Sequence, residues 1–157
     1  MSGPIDPADG DYSAITPEMR AALLALCTEY LWRVDHGHSA SIATLFTKDG
    51  QWAAPGILWT GQAALVDGWQ RHQVQNSERF ARHMMASARF ALHKGGIVSG
   101  IVGFTVYAGA RDNITPPAPV LVGEHHDCYV QQDDGAWRFQ SRRVVPLFPS
   151  NWRPRGV

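Results

Sequence analysis

Four long β-rich runs stand back to back in the second half of the chain: Phe80 to Leu92, Ile97 to Ala108, Val120 to Gln131 and Ala136 to Val145. Only turn signals separate them, at Lys94-Gly95-Gly96, across Arg111 to Pro119, and at Asp133-Asp134-Gly135. Connections this short leave no room for the crossover helix that a parallel pair needs. The four runs are therefore expected to form an antiparallel meander. Helical periodicity occurs only before residue 75. Helices segregated from strands in this way give an α+β fold, with the helices on one face of a curved sheet.

The first half supplies three helices. Thr16-Pro17-Glu18 combines a Thr N-cap, Pro at the first helical position and an acid in the first turn. Apolar residues then recur at Met19, Leu23, Leu26, Cys27, Tyr30 and Val34, at spacings of three and four, and the helix should stop near Asp35-His36-Gly37-His38. Ser39 to Phe46 reads as a second, short helix and Thr47-Lys48-Asp49-Gly50 as a turn. Gln51 to Ala54 and Ile57 to Trp59 read as a small strand pair around Pro55-Gly56. A third helix begins at Gly61, with Ala64, Leu65, Gly68 and Trp69 on one side. Residues 1–15, polar and rich in Pro and Gly, are expected to form a flexible arm. Residues 16–147 form one domain, and residues 148–157 a tail.

Charge narrows the choice of partner. Lys and Arg number 14, Asp and Glu 14, so the formal net charge is zero. A neutral chain has no general attraction for nucleic acid or an anionic membrane surface. The longest stretch free of Asp, Glu, Lys and Arg, Gly50 to Val66, is interrupted by Pro55, Gly56 and Gly61 and falls short of the ~20 apolar residues of a membrane span. Cys27 and Cys128 lie far apart without metal-type spacing, and the acidic N-terminus lacks the basic head of a signal peptide. A cytoplasmic setting is the expectation. The sequence has neither a phosphate-cradling glycine loop nor a GxSxG elbow. His36-Gly37-His38 and His125-His126 suggest no metal set, since adjacent strand residues face opposite ways.

Three residues stand out as chemistry. Tyr30 and Asp35 lie on the first helix, and His83 opens the first long strand in Arg82-His83-Met84-Met85. An acid at a helix C-terminus opposes the helix dipole, so Asp35 either caps the following turn or has another partner. His83 is either a paired core histidine or a base. Removing a proton beside a carbonyl calls for a base with a pKa near neutrality, which imidazole supplies. A carboxylate on its other nitrogen fixes the tautomer and stabilises the imidazolium. A phenol such as Tyr30 can donate to the developing enolate or to a departing hydroxyl.

The order of these pieces resembles the SnoaL-like branch of the cone-shaped nuclear transport factor superfamily. The resemblance is carried by Tyr30-Leu31-Trp32-Arg33-Val34-Asp35 with Leu45-Phe46-Thr47-Lys48-Asp49-Gly50-Gln51-Trp52, by Arg82-His83, and by Asp127 with Gly135-Ala136-Trp137-Arg138-Phe139 and Arg142-Arg143. It spans roughly Pro17 to Val145. Asp35 and His83 match the Asp–His dyad of scytalone dehydratases, and Tyr30, Asp35 and His83 together resemble the catalytic set of bile-acid 7α-dehydratases. Val34 departs from the pattern, standing where scytalone dehydratases carry a Tyr beside the Asp. Their further strand histidine has no clear match, although His125 lies on the same stretch.

The resemblance implies a cone whose curved sheet walls a cavity holding Tyr30, Asp35 and His83. It implies a lyase (dehydratase) or isomerase that needs no cofactor and acts on a small apolar cyclic or polycyclic hydroxy or carbonyl compound. Trp52, Trp59, Met85, Phe104 and His125 are the expected cavity walls, and Arg143 the expected partner of a substrate carboxylate or oxyanion. Polyketide cyclisation, hydrolysis and a non-catalytic role like that of a ring-hydroxylating dioxygenase small subunit are the alternatives. An outer sheet face left uncovered by helices leads to the expectation of a homodimer or homotrimer.

Overall fold

The computed structural model describes residues 9–110 and 119–148. Most of the expected loop from Arg111 to Pro119 and all but the first residue of the expected tail lie outside them. Helix α1 (Pro17–Asp35) begins as its sequence requires: Thr16 Oγ1 accepts the Met19 N–H at 3.2 Å, and Pro17 takes the first turn. Its buried stripe is Leu23, Leu26, Cys27, Tyr30 and Leu31. Gly37, at φ 76°, turns the chain out of the helix. Helix α2 (Ser39–Ile42) is a single turn that tightens into a 3-10 turn over Ala43–Leu45, rather than one helix to Phe46. Helix α3 (Gln62–Gln75) follows Gly61 and buries Leu65, Gly68 and Trp69.

Six strands make one sheet: β1 (Phe46–Ala54), β2 (Ile57–Thr60), β3 (Arg79–Leu92), β4 (Val98–Ala110), β5 (Pro119–Gln131) and β6 (Trp137–Pro146). Their order is β2-β1-β6-β5-β4-β3. The four long runs form the expected antiparallel meander, but β1 joins it by pairing parallel to β6. Thr47 to Gly50, a turn by composition, is instead part of β1. The six residues from Phe46 to Gln51 lie against only three on β6, Phe139 to Ser141, so the turn-forming residues make a bulge. Further register shifts between Met85 and Ala88 and beside Cys128 and Tyr129 bend the sheet. This is an α+β fold, three helices packed on one curved sheet.

Residues 1–8 of the expected arm lie outside the described residues, and its remainder includes Asp11. Asp11 exchanges both backbone hydrogen bonds with Leu92 at 2.9 Å, which tethers it to the end of β3. No helix among the described residues is long and apolar enough to cross a membrane. The core lies between α1, α3 and the concave face of the sheet. There Leu23, Ile42, Leu65, Val98 and Phe139 are fully enclosed, each contributing roughly 1.5–3 kcal/mol by burial.

Candidate active site

Asp35 is the last residue of α1, and β3 crosses in front of it. Its Oδ1 lies 2.6 Å from His83 Nδ1, and its Oδ2 accepts the His83 backbone N–H at 2.8 Å. Arg82 Nη1 donates to the Asp35 carbonyl oxygen at 3.1 Å, satisfying a group that a helix end leaves unpaired. The Asp35 side chain is 6% exposed and that of His83 19%. A carboxylate beside Nδ1 places the ring proton on that nitrogen and leaves Nε2 as the acceptor.

Both residues line a cavity of about 430 Å³. Tyr30 lines it too, 3% exposed, its hydroxyl accepting from Trp52 Nε1 at 2.8 Å. Burial pushes the Tyr30 phenol up, against the lowering influence of the Arg142 charge, so it stays a proton donor at neutral pH. Trp52 and Trp59 are cross-strand neighbours stacked at 4.6 Å, and Trp69 of α3 meets them edge-on at 5.3 and 5.6 Å. Gly68 makes that contact possible: a Cβ there would run into the Trp59 ring. His125 is 3% exposed and stacks on Phe104 at 4.2 Å. Trp52, Trp59, Phe104 and His125 are thus on the cavity wall.

Two expected residues are not. Met85 shares the inward face of β3 with His83 and pairs with Phe104, but its side chain packs against the hydrophobic core and is absent from the cavity wall. Arg143 is exposed, so it is no partner for a ligand inside the cone. Its neighbour Arg142 turns inward instead. Gln140 is an extra residue on β6, since Cys128 pairs with Ser141 while the adjacent Tyr129 pairs with Phe139. That one-residue bulge reverses the inward–outward alternation, placing Phe139 and Arg142 on the same side.

Arg142 is fully enclosed and held in a bidentate pair with Asp127: Nε to Oδ1 at 2.9 Å and Nη2 to Oδ2 at 2.7 Å. Tyr129 donates to Asp127 Oδ2 at 2.6 Å, and Cys27 Sγ lies 3.2 Å from the Tyr129 hydroxyl and 3.3 Å from Arg142 Nη2. Burial raises the Cys27 thiol above its ordinary range, which leaves it un-ionised. The guanidinium lies between two rings, 4.2 Å from the Tyr30 centroid and 4.1 Å from that of Phe139.

His72 also lines the cavity, and sequence reasoning missed it. Its signal was available: continuing the Leu65, Gly68 and Trp69 stripe of α3 by three residues reaches it. Burial, with the charges of His83 and Arg79 behind it, brings His72 down to about 4. The other histidines do not converge. His36 and His38 each stack on Trp32, with ring centroids 4.8 and 4.7 Å away, and His126 pairs with Glu124 at 2.8 Å. Among the described residues no three His, Cys, Asp or Glu are grouped to hold a metal.

No curated protein matches the chain in sequence. Several solved structures match it in fold. ActVI-ORFA from Streptomyces coelicolor superposes with a TM-score of 0.75 at 19% identity, over 83% of this chain and 98% of that one. A scytalone dehydratase-like protein from Novosphingobium aromaticivorans gives 0.72 at 20% identity, over 89% and 91% of the two chains. An NTF2-like protein with a cystatin-like fold from the same organism gives 0.71 at 19%, over 85% and 84%. Identities this low establish the fold alone. Residues 16–143, most of the chain, match the SnoaL-like domain, a family that includes polyketide cyclases and dehydratases. The chain belongs to the SnoaL-like domain family.

Proposed function

We propose that the protein is a lyase (dehydratase) or isomerase, working without a cofactor on a small apolar cyclic or polycyclic hydroxy or carbonyl compound. One observation carries this reading: Asp35 holds His83 Nδ1 at 2.6 Å on the wall of an aromatic-lined cavity. His83 Nε2 takes a proton from the carbon beside a carbonyl. Asp35 keeps the imidazole in the accepting tautomer and stabilises the imidazolium that results. The Tyr30 phenol donates to the oxygen on which charge develops. In dehydration a β-hydroxyl then leaves as water, and in isomerisation the proton returns to a different carbon. An open cavity containing this dyad favours catalysis over the scaffold role of a dioxygenase small subunit.

The test is a panel of hydroxylated cyclic ketones and steroid-like enones, with products read by mass. Loss of water identifies a dehydratase and unchanged mass an isomerase or cyclase, whereas gain of water would point to a hydrolase. His83→Ala should reduce turnover by roughly 10²–10⁴-fold. Turnover at the wild-type rate would remove His83 from the mechanism. We further propose that copies associate in the cytoplasm as a homodimer or homotrimer, with Leu58, Phe80 and Met84, all exposed at outward strand positions, contributing apolar surface. A monomer by light scattering at micromolar concentration would exclude this.

A further inference from the structure

Three buried side-chain nitrogens among the described residues make no hydrogen bond: Trp69 Nε1, His125 Nδ1 and Arg142 Nη1. All three residues pack on a single ring, that of Tyr30. Trp69 and His125 meet it edge-on, with centroids 5.7 and 5.8 Å away, and the Arg142 guanidinium lies 4.2 Å from its centre. Buried polar groups are nearly always paired, because an unmade bond costs the full desolvation of the group. Orphans scattered through a core would be a packing detail. Three around one side chain are hydrogen-bonding capacity that the fold itself leaves unused.

The chemistry of these groups narrows what could use it. Trp69, His125 and Tyr30 line the cavity, whereas Arg142 lies outside its wall with its other nitrogens committed to Asp127 and Cys27. An indole N–H can only donate, and a neutral imidazole nitrogen can donate or accept. Burial, then the charge of Arg142, holds His125 well below the ordinary histidine range, so its ring is uncharged at neutral pH. The Tyr30 oxygen already accepts from Trp52, which leaves its proton for a further acceptor. Asp127 compensates the Arg142 charge, but it is the guanidinium that lies against the Tyr30 ring, so the positive end of the pair faces this end of the cavity. A cationic group is disfavoured there, and an oxygen that gains negative charge is favoured.

We propose that Trp69, His125 and the Tyr30 hydroxyl form an oxygen-binding subsite at the Tyr30 end of the cavity, which takes the substrate's carbonyl oxygen. This makes the substrate class an enolisable ketone or enone with its carbonyl at the Tyr30 end and its acidic C–H beside His83. The subsite rests on the elimination or isomerisation reading only for the role of that oxygen. In the reaction His83 Nε2 takes the α-proton, the C–H electron pair becomes a C=C bond, and the carbonyl π pair moves onto the oxygen held by Trp69 and Tyr30. On collapse the C=O re-forms and the C–O bond to the β-hydroxyl breaks. The leaving oxygen takes the proton back from His83 and departs as water.

The test uses 4-nitrophenol, whose oxygen resembles that of an enolate, against 4-nitrotoluene, which has the same shape without the oxygen. Wild-type protein should bind the phenol more tightly. Trp69→Phe and His125→Phe should each weaken the phenol by about 5- to 10-fold, the worth of one hydrogen bond, and leave the toluene within about twofold. The Trp69 indole N–H resonance, assigned through its contacts to Tyr30, should move downfield when the phenol binds. Should Trp69→Phe fail to fold, His125→Phe and that resonance carry the test. Equal affinity of wild type for both probes, or equal loss of both in the variants, would overturn the subsite. His83→Gln should keep the phenol preference. If His83→Gln also kept full turnover, the general-base reading would fall and the subsite would stand.

Discussion

Asp35 grips His83 twice, through the ring at 2.6 Å and through the backbone N–H at 2.8 Å. One carboxylate therefore sets both the position of β3 against α1 and the tautomer of the imidazole it carries. An oxygen on the backbone N–H fixes which way the carboxyl plane faces, and so fixes the ring.

The double grip makes Asp35→Asn informative. The amide oxygen can keep the backbone N–H, which puts the NH2 against Nδ1 and moves the ring proton to Nε2. The base is then unable to accept. Turnover should fall by about 10²–10⁴-fold while the fold survives. Nitrogen-15 shifts of His83 would show the exchanged tautomer. An unchanged tautomer with unchanged turnover would refute the orienting role.

His72 predicts a pH dependence of stability. Its folded value of about 4 lies below the ordinary 6.5. Between these limits the unfolded chain binds a proton that the folded chain does not, so the contribution is complete above about pH 6.5 and lost as pH falls towards 4. Each unit of difference is about 1.4 kcal/mol. Urea unfolding at pH 7 and pH 4.5 should show a smaller difference for His72→Phe than for wild type. Identical differences would mean that His72 titrates normally.

The pair beneath Tyr30 should be unforgiving to single changes. Arg142 and Asp127 have no exposed side-chain surface, so Arg142→Met leaves a buried carboxylate facing Tyr129 and Cys27. A loss of about 3–5 kcal/mol is expected, and Arg142→Met with Asp127→Leu should recover much of it. Denaturant midpoints of the two variants decide the matter. A single variant as stable as wild type would show that the pair is not held as described.

Gly68→Ala tests the tryptophan wall. The new methyl group meets the Trp59 ring, which is stacked on Trp52, so either the ring or α3 must shift. A loss of about 1–3 kcal/mol is expected, with a shift in tryptophan fluorescence. Neither effect would appear if Trp59 could move aside freely.

The sequence and the structure agree most closely where the pattern is locally determined. The four meander strands fall within two residues of their expected limits, because alternation and turn chemistry act over short spans. Asp35 was legible as an acid set against the dipole at the end of α1, and His83 as a polar residue opening a strand ahead of Met84 and Met85. Arg142 was not. Its direction depends on Gln140, whose bulge arises from pairing with a strand and is invisible to alternation counted along β6 alone. The same holds for Thr47 to Gly50, turn-like in composition yet drawn into β1 by its parallel neighbour. Arg143, expected inside the cavity, stands outside it for the reason that brings Arg142 in.

The parallel seam between β1 and β6 also bears on when the cavity can exist. Phe46 lies opposite Phe139, and Trp52, which bonds the Tyr30 hydroxyl, lies opposite Arg142. Tyr30 thus receives its surroundings from the earliest strand and the last one together. Contacts of such long sequence separation form late and slowly, since the loop between them must be ordered first. During synthesis α1 can meet α2 and β3 first, but the surroundings of Tyr30 stay incomplete until β6 has left the ribosome. The wall around Tyr30 is then completed only by the closing of that seam.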